Sequence, residues 1–99
     1  MKDLKLGIQM GYWRRGPREE MVELAQEAEK LGYDALFTAE TWGSDVFTPL
    51  AWIGAHTSRI RLGTGIAQLS ARAPTACAMA AITLDHLSGG RVILGLGVS

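Results

Sequence analysis

Four short apolar runs divide this chain, at residues 4–10, 34–39, 61–66 and 91–96, and each of the first three is followed by a polar loop and a helical pattern. They return about every thirty residues, the length of one βαβ unit. That spacing allows very few folds. Strands alternating with helices imply a parallel sheet with right-handed crossovers, in the order β-α-β-α-β-α-β. The strand ends at Met10, Ala39, Ile66 and Gly97 then lie along one edge, where ligand sites gather in barrels and in open sheets alike.

The intervening helices carry their own signals. Pro17 suits a first helical position, and Glu19 and Glu20 sit at the positive end of the helix dipole. Met21, Leu24, Ala25, Ala28 and Leu31 make one apolar stripe, the charges at Glu23, Glu27, Glu29 and Lys30 read as a solvated face, and Gly32 stops the helix. Asp45 or Thr48 caps the second helix, with Leu50, Ile53 and Gly54 facing inward. His56 at its end reads as a C-terminal cap. The third helix runs from Pro74 to Leu87, rich in alanine with Met79, Ile82 and Leu84 adding bulk, and Ser88-Gly89-Gly90 ends it. Cys77 among the alanines reads as a small buried hydrophobe.

The third run holds the main candidate site. Leu62, Thr64 and Ile66 alternate with Gly63 and Gly65, so one face has no side chains, and something else is expected to approach that backbone. The second candidate is Glu40-Thr41-Trp42, a carboxylate, a hydroxyl and an indole at the tip of the second strand. The loop Gly11-Tyr-Trp-Arg-Arg-Gly16 reads equally as a surface connection or a pocket wall.

Composition excludes other classes. The chain has 99 residues, zero formal net charge and 47% hydrophobic residues, with no basic excess to suggest nucleic acid. No apolar run approaches a membrane span of roughly 20 residues, and no signal peptide is visible. A single cysteine excludes an intrachain disulfide or a cysteine metal cluster, and fits a reducing, cytoplasmic setting. The chain stops just after an apolar run, which reads as a cut rather than a finished end. Gly63-x-Gly65 and Gly95-x-Gly97 fall short of a dinucleotide fingerprint, since Gln68 stands where a third glycine would and no acidic residue closes the next strand.

Four segments in one order carry a more specific signal: Ala39-Glu40-Thr41-Trp42, Arg61-Leu-Gly-Thr-Gly-Ile66, Thr83-Leu-Asp-His-Leu-Ser-Gly-Gly-Arg91 and Leu94-Gly-Leu-Gly-Val-Ser99. Together they resemble the N-terminal part of the bacterial-luciferase-like monooxygenase superfamily, above all its deazaflavin (coenzyme F420)-dependent oxidoreductases. The resemblance covers residues 1–99 as one unit and implies the first four β/α strands of a TIM (β/α)8 barrel, incomplete in this chain, since such a barrel needs about 250 residues. The exposed strand edges imply self-association.

The resemblance also implies chemistry. A cis peptide at Gly65-Ile66 would back the cofactor's middle ring, with Ala67 and Gln68 continuing the cradle through backbone groups. Glu40 would hydrogen-bond the cofactor or act as catalytic acid or base, unless it is simply a strand-end carboxylate that caps nearby amides, and Thr41 would stand beside it in the cofactor site. Thr41 replaces the family's frequent histidine, which argues against imidazole acid chemistry and for a substrate range unlike that of the sugar-phosphate members. The expected activity is hydride transfer between coenzyme F420 and a small organic substrate, without a metal, and the 99 residues alone are expected to be inactive. Two alternatives stand beside it: an FMN-dependent monooxygenase on the same barrel, and a non-catalytic half-barrel that assembles with itself.

Overall fold

The structure is a computed structural model that describes residues 4–12 and 18–98. Pro17 and most of the loop after the first strand therefore lie outside the described residues. Strands β1 (Gly7–Gly11), β2 (Ala35–Thr38), β3 (Arg61–Thr64) and β5 (Val92–Ile93) form one parallel sheet in the order β1-β2-β3-β5. Helices α1 (Arg18–Lys30), α2 (Phe47–Gly54) and α3 (Pro74–Leu87) are the crossovers. The third and fourth expected strands are each broken in two. Past the break, β4 (Ala67–Gln68) pairs in parallel with β6 (Leu96–Gly97) as a separate two-stranded sheet.

The core lies between the helices and one sheet face. Leu36, Leu62, Leu50, Ile53 and Ile60 are essentially inaccessible, and each contributes about 1.5–3 kcal/mol by leaving water. Gly54 is needed where α2 crosses β3, because a Cβ there would stand 2.9 Å from the Leu62 methyl. The C-terminus of α1 closes as expected. Gly32 takes φ +88°, its amide donates to Glu29 O, and the Tyr33 amide donates to Ala28 O. Gly89 and Gly90 close α3 in the same way, onto His86 O and Asp85 O. At the end of α2, His56 Nδ1 donates to the Trp52 carbonyl at 2.8 Å, the capping role expected of it.

Three expectations fail, each for a packing reason. The α1 stripe is buried only at Ala25 and Ala28, where the helix packs on the core, while Leu24 and Leu31 are exposed. On α3, Met79 and Ile82 face outward, and Ala81 and Leu84 make the contact with the core. Glu29 is no part of a solvated face. Its carboxylate accepts the backbone amides of Ser58, Arg59 and Ile60 and so fixes the turn into β3. Beside that turn Arg91, only 8% exposed, donates to the carbonyls of Gly54, Thr57, Ile60 and Ser88 and to the Thr57 hydroxyl.

Candidate functional site

At the C-terminal edge of the sheet, β3 ends at Thr64 and the Gly65–Ile66 peptide is cis, as the resemblance implied. Thr64 pins this exit to the next strand. Its hydroxyl donates to Gly95 O and accepts from Gly95 N, both at 2.8 Å. Gly95 must be glycine there, since a Cβ would meet Thr64 O at 2.4 Å. Beyond the cis bond, Ala67 N and Leu69 N donate to Gly95 O and Gly97 O on the β6 side. Gly65 N donates to Thr38 O. Among the amides of residues 65–69, that of Ile66 alone has no acceptor among the described residues.

The face without side chains is not an open slot at Gly63. The Phe37 ring from β2 occupies it so closely that a Cβ on Gly63 would lie 2.4 Å from Phe37 Cδ1 and Cε1. The close approach inferred from the glycine pattern is thus made, at that position, by the protein itself. Gly65, one step nearer the strand exit, has Phe37 Cβ and the Gln9 amide beside it. Gln9 donates to Gly65 O at 3.3 Å and accepts from Gly11 N at 2.8 Å, joining the β1 exit to the β3 exit.

Glu40 follows β2 by two residues and is 3% exposed. Its Oε1 accepts from Val46 N at 3.1 Å and Arg72 Nη2 at 2.6 Å. Its Oε2 accepts from Gln68 N at 2.7 Å and Arg72 Nη1 at 2.9 Å. Both oxygens are therefore filled. Burial alone would raise the Glu40 pKa, but the hydrogen bonds from Arg72, Gln68 and Val46 outweigh it, and the net displacement is downward. The group is an anion at neutral pH, with neither a proton to donate nor a lone pair to spare. The expectation that Glu40 is an acid–base catalyst does not fit this geometry. The amides of Ala67 and Gln68, whose backbone groups were expected to continue the cradle, donate to Gly95 O and Glu40 Oε2.

Arg72 completes the cluster. It also reaches Asp45 Oδ1 at 3.2 Å and lies over the Phe47 ring, 5.0 Å from its centroid. Asp45 accepts the Thr48 amide at 2.6 Å, as a cap for α2. Thr41 is half-buried next to Glu40, and Trp42 is fully exposed. Gln9, Phe37 and Arg72 were not singled out from the sequence. Arg72 had a usable signal, because a carboxylate at a strand end needs a counter-charge and no other cation stands between β3 and α3. A cavity of about 170 Å³ adjoins this cluster, lined by Gln68, Leu69, Arg72, Cys77 and Leu96 among others. A larger one, about 450 Å³, lies between α1, α2 and the loop after β2, against Arg18, Met21, Gly43, Asp45 and Trp52. It takes nothing from the β3–β4 exit, so the candidate site follows the strand ends rather than cavity size. Among the described residues no cluster of metal ligands occurs, and no helix is long and apolar enough to cross a membrane.

The family model for luciferase-like monooxygenases matches residues 7–99. The chain belongs to that family. This luciferase-like chain is 66% identical, over 97% of its length and 28% of the relative's, to a putative coenzyme F420-dependent oxidoreductase of Mycobacterium tuberculosis. It is 40% identical, over 77% of its length and 22% of the relative's, to 4-hydroxyprotoasukamycin monooxygenase of Streptomyces nodosus. Among solved structures, the coenzyme F420-dependent tetrahydromethanopterin reductase of Methanopyrus kandleri superposes with a TM-score of 0.85 at 28% identity, over 95% of this chain and 27% of that one. The luciferase-like chain thus spans less than a third of each of these relatives. Its parallel β/α units are the portion of the luciferase-like barrel that it contains. The relatives are enzymes by name, and the one matched at 66% identity is named as F420-dependent.

Proposed function

We propose that this chain is the N-terminal segment of a coenzyme F420-dependent oxidoreductase that transfers a hydride between the cofactor and a small organic substrate. The observation that carries the reading is 66% identity, across nearly the whole chain, to a relative named as an F420-dependent oxidoreductase. The geometry is compatible with a flat ring at the β3 exit. The backbone of residues 65–68 is tied down on both sides, Gly65 bears no side chain, and the Ile66 amide is a donor with no acceptor among the described residues. When bound, coenzyme F420 supplies a two-electron hydride carrier. Gly65, Ile66, Ala67 and Gln68 would hold the ring, with Thr41 part of the same site. Glu40 belongs to the cofactor site by shaping this support, and the proton that accompanies hydride transfer is handled by another group.

A second reading keeps the barrel and exchanges the cofactor for FMN, with a monooxygenase reaction. It is favoured by the 40% identity to a protein named as a monooxygenase. In the 99 residues alone, exposed Met79, Ile82 and Leu87 on α3 and Leu94, Leu96 and Val98 at the sheet edge support the expectation that copies of this segment associate. Fluorescence titration of the intact protein with coenzyme F420 and with FMN tests the choice. Saturable quenching of F420 at micromolar concentration with no FMN binding is expected. Binding of FMN alone overturns the deazaflavin reading.

A further inference from the structure

We propose that Arg72 is a positioning residue for the cofactor ring: acting through the Glu40 carboxylate, it holds the Ala67–Gln68 backbone at the height on which the ring rests. The inference rests on the reading above that a flat ring sits at the β3 exit.

The argument begins with strand edges. Strand β4 has one neighbour, β6, to which the amides of Ala67 and Leu69 donate. In a parallel ladder the intervening amide, that of Gln68, points to the opposite edge. There β2 has already ended at Thr38, and no strand among the described residues pairs with β4 on that edge. The Glu40 Oε2 takes that place at 2.7 Å. One side-chain carboxylate thus stands in for a missing strand, and its position decides where β4 lies. The second oxygen is tied to Val46 N, which anchors the carboxylate to the loop before α2.

A lone buried carboxylate would not stay in that place. It would take up a proton or turn toward water. The Arg72 guanidinium prevents both by bonding each oxygen, with its side chain 17% exposed and that of Glu40 2% exposed. Arg72 is fixed in turn by Asp45 and the Phe47 ring. It comes from the segment between β4 and α3, so the clamp closes the loop 68–72 back onto the β2 exit. Its planar fork matches both carboxylate oxygens at once, which a lysine ammonium cannot do.

The test compares the intact protein with its Arg72→Lys and Arg72→Gln variants by two measurements. Amide hydrogen exchange reads the clamp: Gln68 N–H should exchange about tenfold faster in Arg72→Gln while Leu36 and Leu62 keep their protection, a local effect that general destabilisation does not mimic. Fluorescence titration reads the ring: affinity for coenzyme F420 should fall about tenfold in Arg72→Gln and recover in part in Arg72→Lys. If Arg72→Gln does not fold, Arg72→Lys decides alone, with faster Gln68 exchange and weaker ring binding expected. Unchanged Gln68 exchange, or a displaced Gln68 amide with wild-type ring affinity, overturns the proposal. Wild-type protein that binds FMN in place of F420 refutes the deazaflavin reading, and the clamp is then judged by FMN affinity. Binding of neither ring overturns both.

Discussion

Replacing Gly63 by alanine tests whether the bare face of β3 is filled by the protein. A Cβ there would lie 2.4 Å from two carbons of the Phe37 ring, against an ordinary contact of about 3.5–4.0 Å. The ring must withdraw by about 1 Å, and β1 hampers that movement, since a Cβ on Gly7 would already be 3.3 Å from Phe37 Cε2. Overpacking of this kind costs about 1–3 kcal/mol. A value near 2 kcal/mol corresponds to a melting point lower by roughly 10 °C in a unit of this size. The assay is a double-mutant cycle by thermal or urea unfolding, with Phe37→Ala as the second substitution. Without the ring the three atoms closest to the added methyl are gone, so Gly63→Ala/Phe37→Ala should be no less stable than Phe37→Ala alone, a coupling of about 2 kcal/mol. Additive effects, within about 0.5 kcal/mol, would refute the claim that Phe37 is what makes glycine necessary.

Thr64→Val removes the hydroxyl that both donates to Gly95 O and accepts from Gly95 N. It should destabilise the protein by about 1–3 kcal/mol and speed exchange of the Gly95 amide. Glu29→Gln removes the anion that gathers the Ser58, Arg59 and Ile60 amides. About 1–2 kcal/mol should be lost in urea unfolding, without change in the Gln68 amide resonance. Acid should unfold the protein through three carboxylates. Burial pushes the pKa values of Glu40, Glu29 and Asp45 up, but the hydrogen bonds each accepts bring the net value below the ordinary one, 4.5 for the glutamates and 3.8 for Asp45. A group with a depressed folded pKa stabilises above its unfolded pKa and loses that contribution as pH falls through the folded one. Stability to urea should therefore be level near neutrality and fall as pH drops below 4.5, and a maximum at pH 3 would contradict the assignment.

The repeat of strand, loop and helix was legible because each unit announces itself locally. Glycines at 32, 89 and 90 stop two helices by adopting positive φ, and the apolar runs mark the strands. The breaks in the third and fourth strands were less legible. Arg61-Leu-Gly-Thr-Gly-Ile66 reads as one continuous strand, and only the pairing of β4 with β6 shows that the two strands bend away together. Leu24, Leu31, Met79 and Ile82 misled for a related reason. Apolar spacing identifies a helix face but not whether a neighbour covers it.

The site residues divide along the same line. A glycine in a strand states that a side chain is missing, and does not state what takes the space. At Gly63 the occupant is Phe37, 26 residues earlier, and no local pattern links the two. A glutamate at a strand end is equally a general acid, a metal ligand or a substitute for a backbone acceptor. Here the choice is made by Arg72, 32 residues later, whose charge keeps Glu40 ionised and whose fork leaves its oxygens no capacity for substrate. Sequence motifs at this edge mark a candidate site. Which residue touches the ligand and which holds that residue in place depends on contacts made between loops, and those appear only when the strand ends are brought side by side.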